Sequence, residues 1–308
     1  MIKRVVCFSN PVYLNLKLGQ LVVTYPEVTE AKGLNEANRQ LGVKTIPIED
    51  LGVVVLDHKQ ITITEAVLAA LLDNNVAIVT CNDQHLPVGL TLPLDGNHIQ
   101  TERFRQQIDA SEPLKKQLWQ QTISSKIKGQ AYALASEGVE NKNMLTWTAQ
   151  VRSGDADNLE GRAAVYYWRN IFHNPDFVRG QEEAPPNNLL NYGYAIVRAM
   201  MARALVAAGL LPTLGIHHHN RYNAYCLADD IMEPYRPFVD MKVIEIIKSG
   251  KDISTVSTDL KRELLGITTM DVTIDNHRSP MMIAIQTTAN SVQRCFAGEL
   301  RKIIYPDW

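Results

Sequence analysis

The chain has 308 residues, of which 31 are basic and 33 acidic, and its formal net charge is −2. This length is enough for two domains of ordinary size. A hydrophobic content of 45% with 21% charged residues is typical of a globular protein and excludes a disordered segment or a coiled coil. The balanced charge gives no overall electrostatic case for nucleic acid, because proteins that neutralise many phosphates usually carry excess Lys and Arg.

Cysteine usage and hydropathy favour a cytoplasmic protein. The four cysteines are far apart and form no CxxC pair: Cys7, Cys81, Cys226 and Cys295. This spacing favours buried reduced thiols over a disulfide scaffold or a zinc knuckle. The first residues contain no signal-peptide core, and no window reaches the ~20 apolar residues that a bilayer span requires. We therefore expect a cytoplasmic location and no membrane partner.

Strand signals dominate residues 1–90. Short segments rich in Val, Ile, Thr and Tyr are separated by turn residues, and they predict six strands: 2–8, 13–17, 21–25, 45–48, 53–56 and 76–80. One helix is predicted over 64–73, with Thr64 as its N-cap. These patterns predict a small, mostly antiparallel β-domain.

A connector and a helical region follow. Pro and Gly punctuate the stretch before residue 101, which predicts a linker over 91–100. Beyond it, helical periodicity predicts eight helices: 102–119, 120–135, 159–172, 188–209, 222–232, 240–249, 255–265 and 280–304. The expected fold class is therefore α+β with two domains, the second a larger all-α domain over 101–308.

Three acids lie at the end of the predicted helix 222–232 and directly after it. Asp230 and Glu233 are spaced i, i+3, and Asp229 and Glu233 are spaced i, i+4, so at least two carboxylates can converge on one face. Their repulsion costs about 0.2–0.5 kcal/mol per pair, which a bound cation would relieve. The alternative interpretation is a solvated helix face.

Three consecutive histidines precede these acids: His217, His218 and His219. Adjacent side chains of an extended loop point to alternate sides, which favours one metal ligand among the three. One imidazole with carboxylate oxygens suits Mg²⁺ or Mn²⁺ better than structural zinc. A structural or exposed loop histidine, and a zinc protein built on the triple histidine, are the alternatives.

Glu160 offers a further carboxylate. It falls in the first turn of a predicted helix that Asp157 or Asn158 can cap. That position is also explained by the helix dipole, which favours an acid in the first turn. Taken alone, Glu160 is explained as an ordinary first-turn acid, and only its combination with the histidines and the later acids suggests a function.

The segments that carry these residues resemble one known family. The matching runs are 158–164, 191–195, 214–218 with Asn220, 223–224, and 230–240 with its sequence DIMEPYRPFVD. Together with the opening strands, they make essentially the whole chain similar to the CRISPR-associated spacer-acquisition endonuclease. This protein is the integrase subunit of CRISPR adaptation, and the version resembled is that of type II systems.

The resemblance implies a fold and a site. The fold is a β-sandwich-like N-terminal domain followed by an α-helical domain that carries one divalent metal site, with Mg²⁺ or Mn²⁺ as cofactor. Matched by motif, the metal ligands and catalytic residues are Glu160, His218 and Glu233. Asp230 is expected to assist. Because the chain has three adjacent histidines where the family motif has two, His219 is the second choice of ligand after His218, and His217 is the third.

The resemblance also implies a reaction. Short DNA fragments, the spacers, are inserted into the CRISPR array by transesterification with a 3′-hydroxyl, and hydrolysis is the accompanying nuclease activity. Arg236 and Lys242 follow the acidic helix and are candidate phosphate contacts, with ordinary surface cations as the alternative. A general metal-dependent DNA nuclease and a non-catalytic DNA-binding scaffold of the same fold are the alternative functions.

The partners implied are double-stranded DNA, both as spacer precursor and as the leader and repeat of the array, and a second copy of the chain in a homodimer. A small second Cas protein would complete the integration complex. In type II systems the RNA-guided effector nuclease and an accessory subunit are further expected partners.

Overall fold

A computed structural model describes residues 3–31, 38, 40–174, 176–180 and 184–308. Contacts divide the chain into two compact units, Met1–Asp95 and Gly96–Trp308. Most of the described strands lie in the first part of the chain, and most of the described helices follow in the second. In the described ranges, no helix combines the length and hydropathy that crossing a membrane requires.

The first unit contains eight described strands: β1 Arg4–Phe8, β2 Val12–Lys17, β3 Gln20–Thr24, β4 Val43–Pro47, β5 Leu51–Leu56, β6 Ile61–Ile63, β7 Ala77–Cys81 and β8 Pro87–Thr91. One sheet has the order β4-β3-β2-β6 and the other β1-β5-β7-β8. The described residues of this unit also include helices α1 Pro26–Thr29 and α2 Glu65–Asp73, and side chains from both sheets and α2 form one apolar core. The first residue of the predicted strand 2–8, Ile2, lies outside the described residues.

The expectation of a mostly antiparallel domain is wrong. The pairs β1–β5, β5–β7 and β2–β6 are parallel, whereas β2–β3, β3–β4 and β7–β8 are antiparallel. The reason lies in β5, whose LGVVVL sequence is almost entirely buried. Parallel strands are typically buried on both faces and therefore lack the alternation that marks a strand with one wet face.

The second unit contains nine described helices: α3 Gln100–Ile108, α4 Glu112–Ser136, α5 Lys142–Gln150, α6 Leu159–Asn170, α7 Asn187–Ala207, α8 Cys226–Met232, α9 Arg236–Lys248, α10 Thr258–Leu265 and α11 Met281–Phe296. Short 3₁₀ turns lie at Ser153–Asp155, Glu233–Tyr235 and Gly266–Thr269. The predicted break at residue 120 falls instead before α4. There the Ser111 hydroxyl caps the helix, Pro113 lies in the first turn, and 25 residues continue without interruption.

The expectation of an all-α second domain is also wrong. Strands β9 Asp271–Ile274 and β10 His277–Pro280 form an antiparallel hairpin. Its two loop residues, Asp275 and Asn276, have φ angles of 51° and 62°. Such a pair of left-handed residues suits a tight two-residue hairpin turn, and Asp and Asn tolerate that conformation well.

Helix α4 is the central helix of the second unit. It packs against α5, α6 and α9 and against the 3₁₀ turns Ser153–Asp155 and Glu233–Tyr235. Large side chains of α4 are completely or almost completely buried, among them Leu118, Trp119, Ile123 and Ile127. The helix therefore lies beside both segments that carry the predicted acidic ligands.

Candidate active site

Glu160 is held in the first turn of α6 by two caps. Asn158 adopts a left-handed conformation with φ 50°, and its side chain accepts a hydrogen bond from the Gly161 amide. The Asp155 carboxylate accepts from the amides of Leu159 and Glu160 at 2.9 and 3.0 Å. Of the two predicted caps, Asn158 fills the role, whereas Asp157 pairs with Arg152.

Glu233 lies in the 3₁₀ turn between α8 and α9 and is buried. Its Oε1 accepts a hydrogen bond from Nε of Arg236 at 2.9 Å. Its Oε2 lies 2.7 Å from Nζ of Lys126 but receives no hydrogen bond of good geometry. This buried oxygen is therefore neutralised by the ammonium without a hydrogen bond of good geometry.

Lys126 joins the two predicted acidic ligands. Its ammonium, on α4, is 2.6 Å from Oε1 of Glu160 and 2.7 Å from Oε2 of Glu233. Burial alone would lower the pKa of Lys126, but the carboxylates of Glu233 and Glu160 outweigh it and hold that pKa above its usual value. Burial likewise raises the pKa of Glu233, but Arg236 and Lys126 outweigh it and lower that pKa to about 2. Lys126 and Glu233 are thus both charged at neutral pH.

The three acids of α8 and its following turn bind different groups. The Asp229 carboxylate accepts from Arg198 at 2.6 and 3.0 Å and from Asn223 at 2.7 Å. Asp230 binds the histidine loop, and Glu233 binds Lys126 and Arg236. Each acid has its own partners, and the convergence of two of these carboxylates stays a prediction. The solvated-face alternative is wrong, because Asp229, Asp230 and Glu233 are all buried.

Asp230 fixes the backbone and the ring of the histidine loop. Its fully buried carboxylate accepts from the amides of His217 at 2.9 Å and His218 at 3.3 Å, and Nδ1 of His218 lies 2.5 Å from its Oδ1. This hydrogen bond raises the pKa of His218. A Cβ atom on Gly215 would lie 2.7 Å from Oδ2 of Asp230, so only glycine fits this close approach. With Nδ1 engaged, Nε2 is the ring nitrogen that can bind a ligand.

The three histidines have different environments. The ring of His217 stacks on buried Trp119, with centroids 4.1 Å apart, while the His218 ring meets the same indole edge-on at 5.5 Å. Burial lowers the pKa of His217. His219 is exposed and lines a cleft of about 440 Å³ together with His218 and Arg221.

The two predicted phosphate contacts differ in setting. Arg236 is held between the Glu233 carboxylate and the ring of Tyr194, whose centroid lies 4.6 Å from the guanidinium carbon. The Tyr194 hydroxyl donates in turn to Asp240, a buried acid of α9. Lys242 forms an ion pair with Glu245 at 2.8 Å, one turn along the same helix. Arg236 is thus built into the site, and Lys242 lies in a surface ion pair.

The fit of a metal to this site depends on the donor set. Among the described residues, no three His, Cys, Asp or Glu side chains are close enough together to hold one ion. The Lys126 ammonium lies between Glu160 and Glu233 and occupies a cation position there. Two carboxylates and one imidazole nitrogen nevertheless suit Mg²⁺ or Mn²⁺. Oε2 of Glu233, buried and without a hydrogen bond, is an available oxygen donor. Glu160, His218 and Glu233 are therefore the residues that would hold a divalent ion, and its carboxylate oxygens are those that Lys126 contacts in this structure.

Three contributors to the site were missed from the sequence: Lys126, Trp119 and Asp155. Lys126 and Trp119 fall in a helix of mixed polar and apolar residues, in which neither side chain stands out from its neighbours in sequence. Asp155 precedes the predicted cap by three residues, and its positive φ of 51° allows its carboxylate to reach the first amides of α6. Only the Asp-rich run DADN hinted at a second cap.

Solved structures share this fold. A casposase bound to an integration product superimposes with a TM-score of 0.75 and 16% identity, covering 98% of this chain and 92% of that chain. A chain of a Cas6-RT-Cas1–Cas2 complex superimposes with a TM-score of 0.72 and 18% identity, covering 97% of this chain and 35% of that chain. The fold is thus one that an integrase and CRISPR-associated proteins have in common.

The sequence comparisons identify the family. The profile of the CRISPR associated protein Cas1 matches residues 5–263. The CRISPR-associated endonuclease Cas1 of Neisseria meningitidis serogroup C (strain 8013) is 36% identical over 251 residues, which cover 81% of this chain and 82% of the relative. The chain belongs to the Cas1 family, the endonucleases and integrases of CRISPR adaptation. The resemblance drawn from the sequence is confirmed.

Proposed function

We propose that Glu160, His218 and Glu233 bind one Mg²⁺ or Mn²⁺ ion, and that this centre inserts short DNA fragments into a CRISPR array. The observation that carries the proposal is the shared position of the Lys126 ammonium, 2.6 Å from one carboxylate and 2.7 Å from the other. Acids from α6 and from the turn after α8 are thereby directed at one point of positive charge. His218 lies close enough to Glu233 and Glu160 for their negative charges to raise its pKa, in addition to the effect of its hydrogen bond with Asp230.

The proposed reaction is a transesterification at phosphorus. The 3′-hydroxyl oxygen of the incoming fragment forms a bond to the target phosphorus, and the bond from phosphorus to the target 3′-oxygen breaks. The number of phosphodiesters is unchanged, and the released 3′-hydroxyl takes up a proton. A bound divalent ion supplies Lewis-acid stabilisation of the charge that develops at phosphorus. With water as the nucleophile, the same centre hydrolyses the phosphodiester.

The chain's own residues have separate roles in this proposal. Asp230 assists from behind His218, because its carboxylate holds Nδ1 and so keeps Nε2 directed away from it. Arg236 neutralises Glu233 and is proposed to contact a phosphate of bound DNA. His219 lines the adjacent cleft and is proposed as an assisting residue there. Lys242 is proposed as a peripheral phosphate contact.

The proposed partners follow from the family. We propose that the chain works as a homodimer with a small second Cas protein, and that it acts in the cytoplasm on double-stranded DNA. The relatives support this assembly, since a structural neighbour is a Cas6-RT-Cas1–Cas2 complex. The type II effector nuclease and an accessory subunit are proposed as further partners.

An integration assay tests the function. Purified protein and its second Cas protein are incubated with a fragment bearing 3′-hydroxyl ends and a supercoiled plasmid carrying leader and repeat. We expect joining to be lost in Glu160→Gln, His218→Ala and Glu233→Gln and retained in Glu245→Gln, an exposed acid in an ion pair on α9. Wild-type joining in the Glu233→Gln variant would contradict the site assignment.

Two further arms separate the alternatives. A fragment with 3′-dideoxy ends cannot be joined and is the negative control for joining. If the plasmid is cleaved but the normal fragment is not joined, the protein is a general nuclease. Stoichiometric zinc that survives mild chelation would instead identify a zinc protein. Circular dichroism of each variant establishes that it is folded.

A further inference from the structure

The Lys126 ammonium contacts two acids and not one. Its ammonium contacts two carboxylates that come from segments 73 residues apart in sequence, and its side chain is only 11% exposed. Neither acid meets the other's oxygens directly in any described contact; the lysine is the group between them. A single buried cation therefore keeps two proposed metal ligands in place.

The charges around this point are already balanced. The two carboxylates of Glu160 and Glu233 face two cations, Lys126 and Arg236. A divalent ion bound to the same oxygens would lie within a few ångströms of the ammonium, inside a site where burial strengthens charge–charge repulsion. A metal ion and the lysine cannot both make their best contacts with Oε1 of Glu160 and Oε2 of Glu233.

We propose that Lys126 is the resident counter-cation of the metal centre and competes with the divalent ion for the Glu160 and Glu233 oxygens. The inference rests on the proposed metal centre. In the metal-free protein the ammonium holds the two carboxylates at the site and offsets their repulsion. When the ion binds, the ammonium leaves these oxygens and is free to meet a DNA phosphate. Lys126 thus lowers the affinity for metal and is a positioning residue.

A purely structural lysine makes the opposite prediction. If Lys126 only held the acids in place for the metal, its removal would leave them disordered and would weaken metal binding. If it competes with the metal, its removal frees the oxygens and strengthens metal binding. The sign of the change in metal affinity therefore distinguishes the two roles.

The experiment measures Mn²⁺ binding to the DNA-free protein from the electron paramagnetic resonance signal of unbound Mn²⁺. Lys126→Met keeps the length of the side chain and removes its charge. Lys128→Met is the matched control, since Lys128 is exposed two residues along the same helix. We expect Lys126→Met to bind Mn²⁺ about tenfold more tightly or better, from the loss of a unit charge beside the ion. Lys128→Met should bind as the wild type does.

A second measurement uses the unaltered chain, in case Lys126→Met folds poorly. Acetylation of lysines by acetic anhydride is followed by mass spectrometry with and without Mn²⁺. We expect Mn²⁺ to increase acetylation of Lys126 severalfold and to leave Lys128 unchanged. Unchanged or reduced acetylation of Lys126 at saturating Mn²⁺ overturns the inference.

The outcomes separate this inference from the proposed function. Equal or weaker Mn²⁺ binding by folded Lys126→Met overturns the competition while leaving the metal centre intact. If the wild type shows no Mn²⁺ binding that Glu160→Gln and Glu233→Gln abolish, the proposed centre fails, and the inference about Lys126 fails with it.

Discussion

The imidazole of His217 lies parallel to the indole of Trp119, with centroids 4.1 Å apart and 1° between the ring planes. Trp119 is 1% exposed and belongs to α4, so the loop of consecutive histidines is anchored to the central helix of its unit. Burial lowers the pKa of His217, which favours a neutral ring in this stack. The stack therefore anchors the histidine next to the proposed ligand.

Removing the stack should slow integration without abolishing it. An aromatic pair of this kind contributes about 0.5–1.5 kcal/mol, so His217→Ala is expected to lower the joining rate about two- to tenfold. His217→Phe retains an aromatic ring and should retain most of the activity. Joining rates and thermal unfolding are measured for both variants. Equal losses in the two would show that the imidazole itself, and not the stack, is required.

Asp230→Asn should fold and yet lose metal affinity. The amide oxygen can replace Oδ2 as acceptor for the backbone amides of His217 and His218, which leaves the amide NH₂ facing Nδ1 of His218. That NH₂ donates, so the ring proton moves to Nε2, the proposed metal-binding nitrogen. We expect metal affinity to fall about 10–100-fold, as for other supporting residues of metal ligands.

Mn²⁺ titration and chemical denaturation measure the two effects of Asp230→Asn separately. Asp229→Asn is the neighbouring control, since Asp229 binds Arg198 and Asn223 and not the histidine loop. A metal affinity unchanged in Asp230→Asn would show that the carboxylate does not set the proton position on His218.

Stability should depend on pH through Asp240. Burial raises the pKa of this acid from 3.8 to about 6, although Tyr194, Tyr167, Arg236 and Arg179 all act to lower it. The folded state therefore holds the proton more tightly than the unfolded state. The stability that this proton contributes is complete well below pH 4 and is lost as the pH rises to about 6.

The measurement is the free energy of unfolding of the wild type minus that of Asp240→Asn, followed with pH. We expect this difference to fall by about 2 kcal/mol between pH 4 and pH 7, since one pKa unit corresponds to about 1.4 kcal/mol and part of the change lies below pH 4. Other titrating groups are common to both chains and cancel. A difference that stays level over this range contradicts the prediction.

A close approach beside α4 gives a fourth prediction. A Cβ atom on Gly129 would lie 2.6 Å from the indole of Trp308, which stacks on Phe238 with centroids 4.0 Å apart. Gly129→Ala should therefore destabilise the chain by about 1–3 kcal/mol through overpacking. In a Trp308→Ala background, the same change should stabilise by up to about 1 kcal/mol, because alanine is the better helix former. Urea denaturation of the four chains measures both effects. Destabilisation of equal size in both backgrounds would exclude the indole as the cause.

The sequence predicted the parts of the fold that follow local rules. Strands such as β2 alternate in exposure, and helices such as α6 bury residues four positions apart, as a single covered face requires. The buried parallel strand β5 lacks alternation, and the hairpin at 271–280 depends on two left-handed turn residues between short strands. The sequence predicted a break inside helix α4. Other elements surround this helix, so its buried residues do not lie on a single face and give no clear periodicity.

The site was predictable only as far as its motifs reached. Glu160, His218 and Glu233 came from a family pattern, and they stay predictions as metal ligands. Lys126 was not predicted, because its role depends on the distance between α4 and two remote acids, which periodicity cannot encode. The division of the acids among Arg198, the histidine loop and Lys126 likewise depends on tertiary contacts that are distant in sequence.

The carboxylate of Asp230 has a consequence for how this loop can evolve. Asp230 lies in the second turn of α8 and accepts hydrogen bonds from the amides of His217 and His218. The chain between His218 and Asp230 must therefore return to a fixed place. Residues 219–222 of that return are exposed. Apart from His219, substitutions there can accumulate at little cost, whereas an insertion or deletion would shift His218 relative to its acid. Among related chains, the loop should drift in composition while keeping its length.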